Sequence, residues 1–568
     1  MAISKRVWWK DAVVYQIWPS SFKDGNGDGL GDLQGIIESL DHIQSLGADV
    51  IWISPVYESP QVDQGYDVSS YERIHPPYGT MEDMTNLLKC CHERGLRVLM
   101  DLVINHTSDQ HDWFKESRSS KGSPKRDWYI WRPARYENGQ RKPPNNWKSC
   151  FGGSAWEWDP CTEEYYLHLF AVGQPDINWA NVAMRKHVYQ SSVKFWLDKG
   201  VDGFRIDTMG LFGKDQSFAD APDSDPCAPF NHQPDAFQVL GEIHELIAGY
   251  GDLMTVGEFG GLGDTATALR YVSASANRVN MGFQFETVCL GFALSSFDIK
   301  PHSLADFKQS VIKWQQYTEG TDGWATMFLE NHDVPRSISR FASDKPELRA
   351  AAAKTLALLQ IACSGTLFLY QGQEIGMTNI PKSWAIEEYK DFSTQQYWQS
   401  EAQSSDDPEV RRKAMANIQA AARDNSRTPM QWSSQRHAGF TDCKGGPWMR
   451  INENYVDINV EDQTKDEESV LSFWKKALAC RKAYIDVLGH GSFCPIDGGD
   501  EAIFCFKKIH KGAAALVILN MSDREQELRP SVQLTGMPLV LATNSSTRDS
   551  TLGPFEGRLY IGDECTKP

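Results

Sequence analysis

Residues 200–210 read Gly-Val-Asp-Gly-Phe-Arg-Ile-Asp-Thr-Met-Gly, which predicts a short buried strand over 203–206 that ends on the carboxylate of Asp207. Successive strand side chains point to opposite faces, so Arg205 and Asp207 point the same way. Burying both charges in an apolar core is costly, which favours a strand that opens onto a cleft. An ion pair there keeps the carboxylate ionised, as a nucleophile requires. For this stretch alone, a structural Arg–Asp pair is the alternative.

Seven similar runs of β-branched or aromatic residues accompany this one, and amphipathic helical stretches separate them. The predicted strands are 13–17, 49–53, 97–102, 203–206, 254–257, 280–284, 325–329 and 367–370. Predicted helices include 33–46, 182–199 and 81–94, the last with a capping box of Thr80 and Asp83. Apolar strands alternating with helices predict a parallel sheet covered by helices. Eight units predict a (β/α)₈ TIM barrel. A doubly wound sheet is the alternative, disfavoured because no Gly-x-Gly-x-x-Gly follows the first strand.

Two long connections interrupt the alternation. Residues 107–175 form a Trp-, Tyr- and Gly-rich insertion after the third strand, and a polar insertion of about 375–450 follows the eighth. Connections of this length are typically functional lids or small domains. A capping box of Thr464 and Glu467 predicts a helix over 465–484. The predicted division is a barrel over 1–106 and 176–484, a lid subdomain over 107–175, and an antiparallel C-terminal β-sandwich domain over 485–568.

Composition restricts the partners and the compartment. At 568 residues the chain is too long for one hydrophobic core, and its net charge of −18 argues against nucleic acid or an anionic membrane as a partner. Neither a signal-peptide h-region at the N-terminus nor an apolar run of 18 residues is present in the sequence. Twelve cysteines without a CxxC pair predict reduced thiols and no zinc. We expect a cytoplasmic protein, a monomer or a weak homodimer.

Polar residues follow four of the predicted strands. They are Asn105 and His106 after the third, Arg205 and Asp207 at the fourth, Glu258 after the fifth, and His332 and Asp333 after the seventh. A barrel brings these strand ends together, which predicts one common site. Three carboxylates with His and Arg fit glycoside hydrolysis, which needs one protonated carboxyl and one ionised carboxylate beside the anomeric carbon.

These four stretches resemble, in order, the conserved regions of the α-amylase-type glycoside hydrolase family. Three further segments are similar to motifs of its α-glucosidase and oligo-1,6-glucosidase branch: Gln174-Pro-Asp-Ile-Asn-Trp179, Tyr370-Gln-Gly-Gln-Glu-Ile-Gly-Met377 and Asn425-Ser-Arg-Thr-Pro-Met-Gln-Trp432. The similarity runs from about Trp8 through the C-terminal domain. It implies retention of configuration by double displacement through a covalent glucosyl-enzyme.

The resemblance also implies roles for single residues. By position, Asp207 would be the nucleophile, Glu258 the general acid/base, and Asp333 the carboxylate that binds the 2- and 3-hydroxyls. The implied substrate-binding residues are His106 and His332 as hydroxyl donors, Arg205 holding Asp207, Tyr66 and Asp67 with Arg427 at the 4-hydroxyl of the terminal glucose, and Phe151 and Phe170 as pocket walls. A grip on the terminal glucose makes the enzyme exo-acting.

A glycine-rich loop after the first strand carries oxygen ligands at alternate positions. The predicted metal ligands are Asp24, Asn26, Asp28, the carbonyl of Leu30, and Asp32. Gly35 stands where an EF-hand requires a bidentate Glu, so the loop is not an EF-hand. A solvated acidic turn is the alternative. The resemblance implies a structural Ca²⁺ or Mg²⁺ here, remote from the catalytic pocket.

Thr208, the residue after Asp207, bears on the substrate. In this branch Thr or Ala there accompanies α-1,4 substrates and Val accompanies α-1,6 substrates. Because Thr and Val differ little in volume, polarity has to produce the difference. We therefore expect a maltase-type α-glucosidase acting on maltose, short maltooligosaccharides and sucrose. The alternatives are an α-1,6-specific isomaltase and a sucrose isomerase or transglucosidase. A non-enzymatic transporter subunit is disfavoured because all three acids are kept.

Overall fold

Eight parallel strands form the central sheet of the computed structural model, which describes residues 6–259, 264–292, 297–498, 500–528, 537–544 and 550–564. In chain order, β1 to β8 are Val13–Ile17, Val50–Ile53, Arg97–Leu102, Gly203–Ile206, Met254–Glu258, Met281–Phe283, Thr326–Met327 and Thr366–Tyr370. The order across the sheet is β6-β5-β4-β3-β2-β1-β8-β7. Between the two end strands, Thr326 Oγ1 donates to the carbonyl of Gly282 at 3.0 Å. The predicted TIM barrel is confirmed, and the doubly wound alternative is wrong.

Side chains of the barrel strands pack alternately outward and inward. Val13 and Tyr15 of β1 belong to the large apolar cluster between the strands and the helices. Val14 lies in a second cluster, with Trp52 of β2 and Phe368 of β8, which fills the barrel. Burial on both faces explains why these strands read as continuous apolar runs rather than as alternating ones.

Helices cover the sheet and form the connections. In the described part of the chain the α-helices are Leu33–Glu38, Leu40–Leu46, Met81–Glu93, Asp112–Ser119, Val182–Val188, Phe195–Leu197, Pro234–Ala248, Thr265–Val272, Leu304–Gln316, Ser337–Phe341, Pro346–Ala362, Phe392–Trp398, Pro408–Ala421, Asp424–Arg427, Val460–Lys465, Val470–Ala483 and Ile485–Leu488. The predicted helix 33–46 is divided at Ser39, and the segment predicted over 182–199 passes through a π-helical stretch, Tyr189–Lys194.

One predicted capping box is confirmed and the other is wrong. Thr80 and Asp83 exchange both hydrogen bonds at the start of Met81–Glu93. Thr464 instead lies in the last turn of Val460–Lys465, where its hydroxyl donates to the carbonyl of Val460 at 2.7 Å. The following helix begins at Val470, and Ser469 is its N-cap. Because the preceding helix extends to Lys465, the next helix begins later than predicted, at Val470.

The two appended units are built from antiparallel strands. After β3, the insertion contains a three-stranded sheet of Trp131–Arg132, Glu164–Leu167 and Trp156–Asp159, and a bridge between His106 and Asp176 joins its two ends. The C-terminal sheet runs in the order Ser492–Ile496, Ile503–His510, Ala513–Asn520, Gly557–Asp563 and Leu539–Ala542. A two-stranded pair, Gln526–Glu527 with Thr551–Leu552, accompanies it. Among the described helices, none combines the length and apolarity needed to cross a bilayer.

Candidate active site

Carboxylates from three neighbouring strands meet on one guanidinium group at the carboxyl ends of the barrel strands. Arg205 in β4 is 1% exposed. Its Nη1 lies 2.5 Å from Oδ1 of Asp207 and 2.8 Å from Oδ1 of Asp101 at the end of β3. Its Nη2 lies 2.8 Å from Oε2 of Glu258, the last residue of β5. The ion pair predicted for β4 therefore exists and includes two further acids.

Thr208 fixes both carboxylates through a strained turn. Its backbone is in the left-handed region, φ 40° and ψ 41°, which is unfavourable for a β-branched residue. The backbone N–H donates to Oε2 of Glu258 at 3.1 Å, and Oγ1 donates to Oδ2 of Asp207 at 3.1 Å. The turn thus aims one donor at each of the two acids.

Glu258 has the properties of a general acid. Burial raises the pKa of Glu258 to about 8, the charges of Asp207 and Asp333 add to the shift, and Arg205 partly offsets it. Because Oε2 accepts from Arg205 and Thr208, Oε1 is the atom that can carry the proton. Glu258 is therefore protonated at neutral pH.

Asp333 is held in the opposite protonation state. Its Oδ2 lies 3.0 Å from Nε2 of His332, and its Oδ1 lies 3.1 Å from Arg427 and 3.5 Å from Arg423. Burial raises the pKa of Asp333, but nearby positive charge, including the guanidinium groups of Arg423 and Arg427, more than offsets this and brings the pKa to about 2. Paired acids whose pKa values are driven apart mark an acid–base site.

Aromatic and polar side chains from the insertion pack against residues of the barrel. Phe170 packs on His106 with ring centroids 5.0 Å apart, and Phe151 packs on Phe170 at 5.9 Å. Nε2 of His106 lies 3.0 Å from the carbonyl of Tyr66 and 3.1 Å from Nε2 of Gln174. Residues predicted from the barrel and from the insertion therefore lie next to each other.

Asp67 and Arg427, which are predicted to bind the terminal glucose together, form no ion pair with each other in the structure. Asp67 is fully buried, and its oxygens accept from Ser59 Oγ at 2.9 Å, Val62 N–H at 2.8 Å and Asp63 N–H at 3.1 Å, so it shapes its own loop. Arg427 is also buried. Its guanidinium group lies over the ring of Trp18, and its Nη2 contacts Oδ1 of Asp333. The pair that forms is Asp63 with Arg423, at 3.0 Å.

Comparison with known proteins agrees with this geometry. A model of the α-amylase catalytic domain matches residues 16–491. An α-glucosidase of Candida albicans is 48% identical over 99% of this chain and 100% of its own length. The oligo-1,6-glucosidase IMA5 of Saccharomyces cerevisiae is 43% identical, with 98% of each chain covered. The chain belongs to the α-amylase family of glycoside hydrolases. An isomaltulose synthase mutant of Erwinia rhapontici NX5, solved with sucrose, superposes with a TM-score of 0.92 at 36% identity, covering 98% of this chain and 99% of that one.

The site of this α-amylase-family enzyme contains residues that the sequence did not single out. They are Asp63, Asp101, Asp391 and Arg423; Gln174 begins a motif that resembles the family, but no role was assigned to it. Asp391 comes from the polar insertion after β8 and lies 2.8 Å from both Arg423 and Arg427. Asp63 stands in the same loop as Asp67, and Arg423 stands four residues before Arg427; this proximity is the signal that could have found them. No pattern in the sequence pointed to Asp391.

The predicted metal loop is held by its own side chains in the structure. Asp24 accepts from the N–H groups of Gly27 at 2.6 Å and Gly29 at 2.8 Å, and Asp32 caps helix Leu33–Glu38 by accepting from Gly35 N–H at 2.6 Å. The atoms predicted to bind a metal are hard oxygens, which Ca²⁺ prefers. Across the described residues, however, no three His, Cys, Asp or Glu side chains converge as metal ligands.

A separate cavity of about 720 Å³ contains none of the three acids. Phe292, Arg340 and Asn379 are among its lining residues. Thr378 Oγ1 in its wall accepts from Asn454 Nδ2 at 2.9 Å and from Asn452 Nδ2 at 3.3 Å. These three polar groups satisfy one another.

Proposed function

We propose that this glycoside hydrolase is an exo-acting, retaining α-glucosidase. One observation carries the proposal: Arg205 joins Asp207 to Glu258, and burial together with nearby carboxylates raises the pKa of Glu258 to about 8. That arrangement supplies a protonated acid and an adjacent carboxylate, the pair that glycoside hydrolysis needs. The first-formed glucose, followed by ¹H NMR, tests retention. We expect α-glucose, and β-glucose as the first product would refute the proposal.

Two displacements account for retention. In the first, a carboxylate oxygen of Asp207 attacks the anomeric carbon while the proton on Glu258 passes to the glycosidic oxygen, so the leaving group departs neutral. In the second, the Glu258 carboxylate takes a proton from water, whose oxygen attacks the anomeric carbon and releases Asp207. The ionised Asp333 stabilises positive charge on the sugar ring in both transition states.

Exo-action would come from a charged pair that binds the terminal glucose. Asp63 and Arg423 form a buried pair, and Arg423 also lies over the ring of Phe151, 5.4 Å from its centroid. A carboxylate and a guanidinium side by side can accept from and donate to one sugar hydroxyl. We assign them the 4-hydroxyl of the terminal glucose, in place of Asp67 and Arg427. An end-blocked maltooligosaccharide should resist hydrolysis, and rapid internal cleavage would contradict exo-action.

The proposed substrates are maltose, short maltooligosaccharides and sucrose. The hydroxyl of Thr208, which donates to Oδ2 of Asp207, supports this choice over an α-1,6-specific isomaltase. Relatives named α-glucosidase and oligo-1,6-glucosidase have similar sequence identities to this chain, so they do not decide between the two linkages. Relative kcat/KM for maltose, isomaltose, sucrose and trehalose tests the choice. A preference for isomaltose would favour the isomaltase.

Transfer rather than hydrolysis is the second candidate. It is favoured by the likeness to an isomaltulose synthase, a protein that was solved with sucrose bound. NMR of the products from sucrose separates the two functions, since hydrolysis yields glucose and fructose. Stable isomaltulose as the main product would establish the isomerase.

A structural Ca²⁺ or Mg²⁺ on the loop of Asp24, Asn26, Asp28, Leu30 and Asp32 remains part of the proposal. Its support is the oxygen-only donor set, while the hydrogen bonds within the loop supply a metal-free account. Binding only to the folded state would raise the melting temperature. We expect Ca²⁺ to raise it and a chelator to lower it, with kcat/KM at 25 °C unchanged. A melting temperature indifferent to both would refute the cation.

Cytoplasmic location and a monomeric or weakly dimeric state complete the proposal. The buried cysteines Cys91, Cys363 and Cys505 are free thiols, which fits a reducing compartment. Localisation of a fluorescent fusion and sedimentation velocity test these two statements. Secretion, or a dimer that persists at nanomolar concentration, would contradict them.

A further inference from the structure

His332 lies beside Asp333 in a stack of aromatic rings. Its ring is parallel to that of Tyr66, with centroids 5.3 Å apart, and 18° from that of Trp18 at 5.1 Å. The residue is 1% exposed, and burial holds the pKa of His332 well below its usual range. The imidazole is therefore neutral and has a single N–H.

The neighbours of the ring decide which nitrogen carries that hydrogen. Nε2 lies 3.0 Å from Oδ2 of Asp333, which is ionised, and a bare nitrogen there would face a negative oxygen. The hydrogen must then sit on Nε2. Tyr66 OH, 2.7 Å from Nε2, can accept from it while donating to Oδ2 of Asp101 at 3.0 Å.

Nδ1 is consequently left as an acceptor, and one donor reaches it. Gln16 in β1 is 2% exposed, and its Nε2 lies 2.7 Å from Nδ1 of His332 and 3.2 Å from Oγ of Ser54. Because Nδ1 requires a donor, the Gln16 amide must present its NH₂ group to the ring.

We propose that Gln16 is a positioning residue that sets the tautomer of His332. By donating to Nδ1, it keeps the hydrogen on Nε2, where the ring faces Oδ2 of Asp333 and the hydroxyl of Tyr66. The inference rests on the proposed function for its catalytic consequence but not for its structural content. The titratable and charged side chains that face or adjoin the ring are Asp101, Asp333, Tyr66, Arg205, Arg423 and Arg427.

The wild-type enzyme tests the tautomer directly. The chain has 14 His, so the ¹⁵N spectrum of histidine-labelled protein is tractable, and the signals missing from His332→Asn assign the ring. We expect a protonated Nε2 and a bare Nδ1 that is hydrogen bonded. A protonated Nδ1 in the wild type would overturn the proposal. This readout requires no turnover, so its outcome is independent of whether Asp207 is the nucleophile.

Two variants separate positioning from simple packing. Gln16→Met keeps the volume but removes the donor, and it should populate the Nδ1–H tautomer and lower kcat/KM about 10- to 100-fold, as loss of a partner behind a functional His does. The matched control Ser54→Ala removes the other partner of Gln16 and should leave the spectrum unchanged and kcat/KM within about threefold. A wild-type spectrum and rate in Gln16→Met would refute the proposal. If that variant fails to fold, the wild-type measurement still decides it.

Discussion

Replacement of Glu258 by Gln removes the acid while keeping the shape of the side chain. The amide oxygen can still accept from Arg205 and Thr208, which hold Oε2 at 2.8 and 3.1 Å, so the fold should be retained. General acid–base catalysis contributes about 10²- to 10⁴-fold, or about 3 to 5 kcal/mol of barrier. We expect kcat/KM for maltose to fall by that factor.

The pH profile provides the sharper signature. A pKa of about 8 leaves Glu258 about 90% protonated at pH 7 and about 10% protonated at pH 9. The proton is lost as pH rises, so kcat/KM of the wild type should decline above pH 8, with a slope approaching tenfold per pH unit. In Glu258→Gln this basic limb should disappear. A limb that persists in the variant would assign the titration to another group.

The assay compares two leaving groups. Maltose needs a proton on departure, whereas p-nitrophenol departs as a stable anion, so the variant should retain the first step on p-nitrophenyl α-glucoside. Without its base it should then accumulate the glucosyl-enzyme, which appears as a burst of nitrophenol. Glu330→Gln is the matched control: Glu330 is buried beyond β7 and paired with Arg336, and its variant should keep the basic limb. Maltose hydrolysis by Glu258→Gln within tenfold of wild type would refute the assignment.

Three other substitutions have defined outcomes. Thr208→Val should raise the ratio of isomaltose to maltose kcat/KM, and an unchanged ratio removes the specificity argument. Asp63→Asn should lower kcat/KM for maltose about 10²-fold because a charged partner of Arg423 and of the sugar is lost. Asp67→Asn should instead lower the melting temperature, since Asp67 accepts three hydrogen bonds inside its loop. If Asp67→Asn behaved as Asp63→Asn is expected to behave, the corrected assignment would be wrong.

Strand ends were the part of the site that the sequence could predict. Periodicity located β3, β4, β5 and β7, and parallel strands in a barrel share one mouth, so the meeting of Asp207 with Glu258 follows from topology. His332 and Asp333 follow β7, so their position at the same mouth of the barrel also follows from topology. Side chains that leave a strand end have little freedom, which is why their positions could be predicted.

Loops limited the prediction. Asp63 and Asp67 lie in one loop with Gln61 and Gln64 at positive φ, and which carboxylate turns inward depends on that backbone path rather than on residue type. Asp391 belongs to the insertion after β8, where no periodic hydrophobic pattern predicted its position. It nevertheless binds both Arg423 and Arg427. The role of Gln16 could likewise not be predicted from the sequence, because a buried Gln in a strand has no sequence signature. It follows only from the position of the His332 ring.

Trapping the covalent intermediate tests the central claim most directly. A fluorinated α-glucosyl fluoride slows both displacements, and mass spectrometry of the digested enzyme then locates the sugar. The account predicts a glucosyl ester on the peptide that contains Asp207, absent from Asp207→Asn, which should fold but not turn over p-nitrophenyl α-glucoside. An ester on Glu258 or Asp333, or wild-type turnover by Asp207→Asn, would contradict it.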